Sequence, residues 1–315
     1  MKPQHCTSAE EPTSKIKIWW SALRPQTLAA GVVPVMVGAA VAYAERIFDA
    51  STVIMCVFGA LLLQITSNFA NDAFDYLNGA DTEDRIGPAR ATQRGWVSPK
   101  QMLTATAIAA IAAIAVGWWL IDRGGMPIAL IGISGLVCAI AYTAGPAPLG
   151  YLGLGDVLVF VFFGLAAVAG TVWAQSPGRA ISTTTWLSAC ATGSLATAIL
   201  VVNNLRDRHT DAATGKRTLA VRFGAKAARW QWSWLIIASY VCAAIAAWIE
   251  GQPAWLLPLV TIPMARKVGV QIWTQDGADL NRLLGATAKI EVLYGVSLSA
   301  GLGLSRMWTD WGMQG

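Results

Sequence analysis

The sequence predicts an all-α protein that crosses a membrane several times. Of its 315 residues, 55% are hydrophobic and 13% are charged, and the mean hydropathy is +0.50. Ordinary soluble domains have roughly 45–50% apolar and about 25% charged residues. The apolar residues also form continuous runs close to the ~20 residues that a spanning helix needs, whereas strands of a membrane barrel alternate apolar and polar residues. These observations exclude a soluble enzyme.

Nine apolar segments follow one another along the chain. They cover residues 25–44, 52–72, 101–121, 127–144, 155–174, 185–205, 230–250, 254–273 and 286–306. We therefore expect a bundle of about nine transmembrane helices. Residues 1–14 are polar and predict a disordered tail, which leaves residues 15–315 as a single transmembrane domain.

The basic residues indicate how the bundle is oriented. When the segments are numbered alternately, 19 of the 23 Lys and Arg residues fall on one side of the membrane. Cytoplasmic loops carry such an excess. We expect a multi-pass protein of the bacterial cytoplasmic (inner) membrane, with a cytoplasmic N-terminus and cytoplasmic long loops, and with the C-terminus on the far side. Because the positive charge is distributed by loop, it does not indicate a nucleic-acid partner, and no obligate protein partner is evident.

A first cluster of polar residues ends the second apolar segment. Asn68, Asn71, Asp72 and Asp75 are spaced at i, i+3, i+4 and i+7, which places them on one face of a helix. Acidic residues at a helix C-terminus oppose the helix dipole and repel one another at this spacing. On its own this cluster fits either a helix end that has left the membrane, with solvated acids, or a site where a cation compensates them. A second such cluster favours the cation.

A second cluster ends the sixth segment in the same way. Asn203, Asp207 and Asp211 repeat at i, i+4 and i+8, and Asn204 lies beside them. Carboxylate and amide oxygens are the ligands that Mg²⁺ prefers, and Mg²⁺ commonly bridges such residues to substrate phosphates. No His or Cys set suits zinc. Basic residues follow both clusters. For most of them we favour a role as positive-inside anchors that face anionic lipid. Arg or Lys close to Mg²⁺ held by acidic helix ends is also a way to bind a diphosphate and stabilise it as a leaving group.

Several strings resemble one known family. The two acidic motifs, "NDAFDYLNGAD" at 71–81 and "NNLRDRHTD" at 203–211, resemble those of the UbiA superfamily of intramembrane aromatic prenyltransferases. The resemblance extends to "RPQTL" at 24–28, "DRIGPARATQRG" at 84–95, "YTAGPAPLGYLGLGDVLVFVFFG" at 142–164 and "GKRTLAVRFG" at 215–224. These accompanying strings are similar to the 1,4-dihydroxy-2-naphthoate polyprenyltransferases of menaquinone biosynthesis.

The resemblance implies nine helices around a central cavity, a cytoplasmic cap, and Mg²⁺ bridging both motifs to a polyprenyl diphosphate. The catalytic residues that it implies are Asp72, Asp75, Asp207 and Asp211. These four aspartates, with Asn71 and Asn204, are the implied metal ligands. The expected substrate-binding residues are Asn68, Asn71, Asn204, Arg24, Arg85, Arg90, Lys216, Tyr142 and Asp156. Asp81 comes six residues after Asp75, where many relatives have it four later, and direct roles for Asp81 and Asp156 stay open.

The implied reaction transfers a polyprenyl group to 1,4-dihydroxy-2-naphthoate with loss of the carboxyl group, giving demethylmenaquinol and diphosphate. Two other functions remain open. A sister enzyme with the same motifs would use another aromatic acceptor, such as 4-hydroxybenzoate. A cation-coupled transporter would also carry paired intramembrane carboxylates, although here the acids lie at helix ends and not at the membrane midplane.

Overall fold

The computed structural model of this chain describes residues 14–80 and 86–312, with side chains to residue 308. Within these ranges the chain is helical and contains no strand, which confirms the all-α prediction. Seven of the helices are long and apolar enough to cross a membrane, and the protein is accordingly a multi-pass membrane protein. Of the predicted tail, the described part is Ser14, which caps the first helix.

Ten α-helices make up most of the described chain. They are α1 (Lys15–Leu23), α2 (Pro25–Ala44), α3 (Ala50–Leu77), α4 (Pro99–Ala141), α5 (Gly155–Val159), α6 (Ala167–Gln175), α7 (Thr183–Ala213), α8 (Leu219–Glu250), α9 (Ile262–Thr274) and α10 (Leu280–Gly312). A π-helix, Phe160–Ala166, joins α5 to α6, and a 3-10 helix, Pro253–Thr261, leads into α9.

Side-chain caps fix where the long helices begin. Asp49, Ser98, Ser182 and Thr218 each accept a hydrogen bond from a backbone N–H in the first turn of α3, α4, α7 and α8. Such a cap satisfies one of the four donors that a helix N-terminus leaves without a partner, and typically contributes about 1 kcal/mol. Each of these helices therefore begins directly after the polar residue that caps it.

Helix α4 reverses direction near its middle. Gly125 has φ 65° and ψ −153°, outside the helical region. Just before it, Arg123 bonds to Asp49 at the start of α3. Beyond α4, Thr143 bonds to Asn71 near the end of α3. The predicted segment 101–121 and most of the predicted segment 127–144 therefore lie within α4 and are separated by a turn that glycine permits.

The predicted segment 254–273 corresponds to the 3-10 helix and α9. Near the start of this stretch, the Ala254 carbonyl packs against Gly301 of α10. At its other end, the Ile272 carbonyl accepts a hydrogen bond from Arg229. Length and composition give seven spanning helices in the described chain, and the count of nine stays a prediction.

Helix α7 lies at the centre of the bundle and packs against its neighbours through small residues. Gly164 of the π-helix meets α7 so closely that an added Cβ would lie 2.6 Å from the Gly193 Cα and 2.6 Å from the Ala189 carbonyl oxygen. Small residues allow such close approach of membrane helices. The position of α7 in turn determines where the second acidic motif at its C-terminal end lies.

Candidate active site

The two acidic motifs lie at the same end of the bundle, which we call the motif end. The cluster from Asn68 to Asp75 lies in about the last three turns of α3, and the cluster from Asn203 to Asp211 lies in about the last three turns of α7. Three connecting segments meet them there, residues 86–98, 142–154 and 214–218. The predicted face of α3 is confirmed in part by burial, because Asn68, Asp72 and Asp75 are each at most 2% exposed.

Asp72 binds the segment that follows its own motif. Its two carboxylate oxygens accept hydrogen bonds from the backbone N–H groups of Ala91, at 3.1 Å, and Thr92, at 2.9 Å. Hydrogen bonds from backbone N–H to a carboxylate are charge-assisted and therefore stronger than neutral ones. Asp72 thus fixes residues 91 and 92 above α3 and, with them, the neighbouring Arg90.

Asp75 is the centre of the site's charge network. Its Oδ2 pairs with the Arg90 guanidinium at 3.0 Å, and its Oδ1 lies 3.3 Å from the Lys216 ammonium. The Tyr151 hydroxyl lies 3.5 Å from the same Oδ1. Lys216 also lies 5.0 Å from the centre of the Tyr151 ring, within range of a cation–π interaction. Residues from three connecting segments therefore converge on one carboxylate of α3.

The two asparagines of the first motif contact other helices. Asn71 accepts a hydrogen bond from the Thr143 hydroxyl at 3.0 Å. Asn68 donates to the Leu23 carbonyl and to the Thr27 hydroxyl, both at 2.9 Å. These contacts join α3 to the segment after α4 and to the α1–α2 junction. The expected substrate-binding role of both asparagines stays a prediction.

Arg24 occupies that α1–α2 junction in a left-handed conformation. Its φ is 51° and its ψ is 71°, a region that residues other than glycine seldom adopt. The backbone is held there because the Arg24 carbonyl accepts from Thr27, while the preceding Leu23 carbonyl accepts from Asn68. Strain of this kind tends to persist at functional sites. The expected role of Arg24 in substrate binding stays a prediction.

Arg206 organises the second motif. Its side chain is 2% exposed and donates to both oxygens of Asp207, at 2.7 and 2.5 Å. It also donates to Asn203 at 2.8 Å. The neighbouring Asn204 is 7% exposed. Because arginine offers several donors in one plane, it holds Asp207 and Asn203 in a fixed relation.

The two motifs lie within electrostatic reach of each other. The Asp211 carboxylate is repelled by the negative charges of Asp207 and Asp75 and attracted by the positive charge of Lys216. The Tyr142 hydroxyl is also within range of the charges of Asp75 and Asp211. The structure therefore brings Asp75, Asp207, Asp211, Lys216 and Tyr142 together at the motif end.

The segment 142–154 is folded tightly around Tyr142. A Cβ on Gly155 would lie 2.7 Å from the Tyr142 hydroxyl, so glycine is needed there for the ring to fit. Asp156, which is 6% exposed, accepts a hydrogen bond from Gln231 of α8 at 3.1 Å. Asp156 therefore links α5 to α8 beneath Tyr142, and its role toward a substrate stays a prediction.

The donor groups suit a hard cation, although the carboxylates are engaged by other partners. Asp75 and Asp207 are paired with cationic side chains, and Asp72 is bonded to backbone N–H groups. Within the described residues, no group of three His, Cys, Asp or Glu side chains is arranged to hold a metal ion. The fit to Mg²⁺ rests on the oxygen donors and on the mutual repulsion of Asp75, Asp207 and Asp211, which a cation between them would relieve.

Some functional residues lie outside the sequence-based set or outside the described chain. Arg85 and Asp81 fall within 81–85, which the structure does not describe. Thr143 was not expected at the site, and Tyr151, which flanks the same loop as Tyr142, lies outside the expected substrate-binding set. The string around 142–151 matched the family, but nothing in its spacing indicates which side chains face α3.

Comparison with known proteins identifies the family of this chain. The UbiA prenyltransferase family model matches residues 31–290. The chain belongs to the UbiA prenyltransferase family. This result confirms the resemblance based on the two acidic motifs and the prediction of a prenyl-transferring enzyme.

Two similar proteins are named 1,4-dihydroxy-2-naphthoate octaprenyltransferase. The one from Haemophilus influenzae is 36% identical over 299 residues, which cover 91% of this chain and 96% of that protein. The one from Escherichia coli is 34% identical over 305 residues, which cover 94% and 98%. The similarity therefore extends over almost the full length of both chains.

Solved structures share the fold at low sequence identity. A UbiA homolog from Aeropyrum pernix K1 superposes with a TM-score of 0.68 at 16% identity, covering 87% of this chain and 98% of that one. A UbiA homolog from Archaeoglobus fulgidus bound to DMAPP and Mg²⁺ gives a TM-score of 0.62 at 13% identity, covering 90% and 99%. These likenesses support the helical architecture.

Proposed function

We propose that this protein transfers a polyprenyl group from polyprenyl diphosphate to 1,4-dihydroxy-2-naphthoate in a Mg²⁺-dependent reaction. The carboxyl group is lost, and the products are demethylmenaquinol and diphosphate. The observation that carries the proposal is that two basic side chains, Arg90 and Lys216, pair with Asp75 of the first motif, within electrostatic reach of Asp211 of the second. The names of the Haemophilus influenzae and Escherichia coli relatives support the naphthoate acceptor.

The diphosphate binds at the motif end. Arg90 and Lys216 are the groups that receive its negative charge, and both already pair with the carboxylate of Asp75. We propose that Asp75, Asp207 and Asp211 hold Mg²⁺, with Asp72, Asn71 and Asn204 as further oxygen donors. Bound Mg²⁺ supplies positive charge that stabilises the departing diphosphate.

The reaction breaks the allylic C–O bond and forms a C–C bond to the ring. Diphosphate leaves with the bonding electron pair, and the electron-rich ring carbon supplies the pair for the new bond. The carboxyl group departs as carbon dioxide. The chain's part is to orient the two substrates and to exclude water, which would otherwise capture the allylic cation. Tyr142 and Arg24 lie at the motif end and are proposed to contact the acceptor ring and its carboxylate.

Product analysis tests the acceptor. The purified protein is incubated in detergent with Mg²⁺, a polyprenyl diphosphate and either 1,4-dihydroxy-2-naphthoate or 4-hydroxybenzoate, and the products are identified by mass spectrometry. We expect a prenylated naphthalene that lacks the carboxyl group. A prenylated hydroxybenzoate as the sole product would instead make this protein a sister enzyme with another acceptor.

Metal removal tests the cofactor. We expect excess chelator to stop turnover and added Mg²⁺ to restore it. Asp207→Ala should abolish turnover, since it removes one of the proposed ligands, while the variant should still insert and fold. The matched control is Asp279→Ala, an exposed acid in the turn before α10. Full turnover in chelator, or in the Asp207 variant, would contradict the role of the metal.

We further propose that the motif end faces the cytoplasm of a bacterial cell and that the membrane is the cytoplasmic (inner) one. The distribution of 19 of 23 basic residues supports this orientation. Reporter fusions after residue 315 test it: alkaline phosphatase should be active there, and green fluorescent protein should not fluoresce. The reverse result would place the C-terminus in the cytoplasm.

A further inference from the structure

Asn281, at the start of α10, bonds to both sides of the site at once. Its Oδ1 accepts a hydrogen bond from Arg206 at 2.8 Å. Its Nδ2 donates to the Ile86 carbonyl at 3.2 Å. The orientation of the amide follows from chemistry, because a guanidinium has donors only and must therefore face the amide oxygen.

Each of these two bonds continues into one of the acidic motifs. Arg206 is buried and holds both carboxylate oxygens of Asp207 in the second motif. Ile86 begins the described segment 86–98, in which Arg90 pairs with Asp75 of the first motif. A continuous chain of contacts therefore runs from Asp207 through Asn281 to the segment that carries Arg90.

A second contact joins the start of α10 to α7, the helix that carries Arg206. Arg208 of α7 forms a two-pronged ion pair with Asp276, in the turn before α10. The start of α10 is thereby fixed relative to α7, which makes Asn281 a firm attachment point for the segment 86–98. Lys216 joins the motifs directly at Asp75, whereas Asn281 joins them from the side of α10.

We infer that Asn281 is a positioning residue for prenyl-diphosphate binding: it holds the segment 86–98 in register with the second motif, so that Arg90 and Asp207 act on one diphosphate. This inference rests on the proposed function for its kinetic consequence. Its structural consequence, the attachment of 86–98 to α10, is independent of any substrate.

Two variants separate the two hydrogen bonds of Asn281. Asn281→Ala removes both. Asn281→Asp keeps an acceptor for Arg206 but places a carboxylate oxygen against the Ile86 carbonyl, where two acceptors repel. If the hydrogen bond to Ile86 holds segment 86–98 in place, both variants should make this segment more mobile. The bond to Arg206 that Asn281→Asp retains should not prevent this.

The test is hydrogen–deuterium exchange of the full-length protein in detergent without substrate. We expect amide exchange in peptides covering 86–98 to rise roughly two- to tenfold in both variants, the factor that corresponds to losing one neutral hydrogen bond. Exchange in α2 should not change. The matched control is Arg282→Gln, the next residue along α10, which is exposed and should leave exchange and turnover at wild-type values. Unchanged exchange in Asn281→Asp would overturn the inference.

Kinetics then distinguish positioning from general stability. We expect KM for the polyprenyl diphosphate to rise several-fold in both variants, while KM for the aromatic acceptor stays the same, because Arg90 serves the diphosphate. Equal changes in both KM values would contradict a positioning role. If the wild-type protein turns over no acceptor, the proposed function fails, but the exchange result still decides whether Asn281 holds the segment.

Discussion

Replacing Asp75 tests whether the network around this carboxylate stabilises the motif end in the absence of substrate. The side chain of Asp75 is 3% exposed and that of Arg90 is 8% exposed. Asp75→Asn removes the negative charge and keeps the shape. The Arg90 guanidinium then loses its ion pair with Asp75 in a buried position, where the loss of an opposite charge is costly.

The expected magnitudes follow from burial. Breaking one side of a buried ion pair costs about 3–5 kcal/mol, so Asp75→Asn should lower the free energy of unfolding by about that amount. Lys216 is 19% exposed and lies 3.3 Å from Asp75. Its pair is closer to a surface ion pair, and Lys216→Gln should cost about 1 kcal/mol. We therefore expect Asp75→Asn to destabilise the protein more than Lys216→Gln does.

A double-mutant cycle gives the coupling between Asp75 and Arg90. Equilibrium unfolding is measured in detergent with excess chelator for wild type, Asp75→Asn, Arg90→Gln and the double variant. Because the two groups are in direct contact, their effects should not add, and the coupling energy should be about 1–3 kcal/mol. Asp279→Asn is the control, with a change within about 0.5 kcal/mol. Additive effects, or an equal cost for Lys216→Gln, would refute the importance of burial in this network.

Three further changes test the packing and electrostatics of the bundle. Gly164→Ala should destabilise by about 1–3 kcal/mol because its Cβ would meet backbone atoms of α7, whereas Gly132→Ala, with nothing within 4 Å, should be neutral or slightly stabilising in thermal unfolding. Glu291→Leu should stabilise by about 1–3 kcal/mol, since this carboxyl is 0% exposed and its oxygens have no hydrogen-bond partner within the described residues; lower stability would contradict this interpretation. Hydrogen bonds from Thr52 lower the pKa of Asp49 from 3.8 to about 2. The contribution of ionised Asp49 to the free energy of unfolding is therefore present above pH ~4 and is lost as the pH falls toward 2. Asp49→Asn should therefore flatten the dependence of unfolding on pH in that interval, and an unchanged slope would contradict it.

The fold could be predicted largely from the length and position of the apolar runs. Hydrophobicity alone determines which stretches are helical in a membrane, because every backbone group there must bond within its own helix. The turn at Gly125 was also anticipated, since the predicted segments 101–121 and 127–144 stop on either side of it. The π-helix at Phe160–Ala166, which contains the close contact of Gly164 with α7, was not predicted.

The candidate site could be predicted only in part. Helical spacing correctly groups Asp72 and Asp75 on one buried face of α3. It does not indicate that Asp72 binds the backbone of residues 91 and 92, or that Asn68 bonds to Leu23, 45 residues away. Such contacts depend on how helices distant in sequence come together. For the same reason Asn281, isolated in the sequence, gave no signal before its contacts with Arg206 and Ile86 were known.

The central claim is that both acidic motifs act together on one metal-bound diphosphate. Binding of a polyprenyl diphosphate to the purified protein, measured by calorimetry with Mg²⁺ and without any acceptor, tests it most directly. The account predicts that Asp75→Asn and Asp207→Asn each abolish binding, as does excess chelator, while Asp279→Asn binds like wild type. Wild-type affinity in either motif variant would show that one motif suffices and would contradict the account.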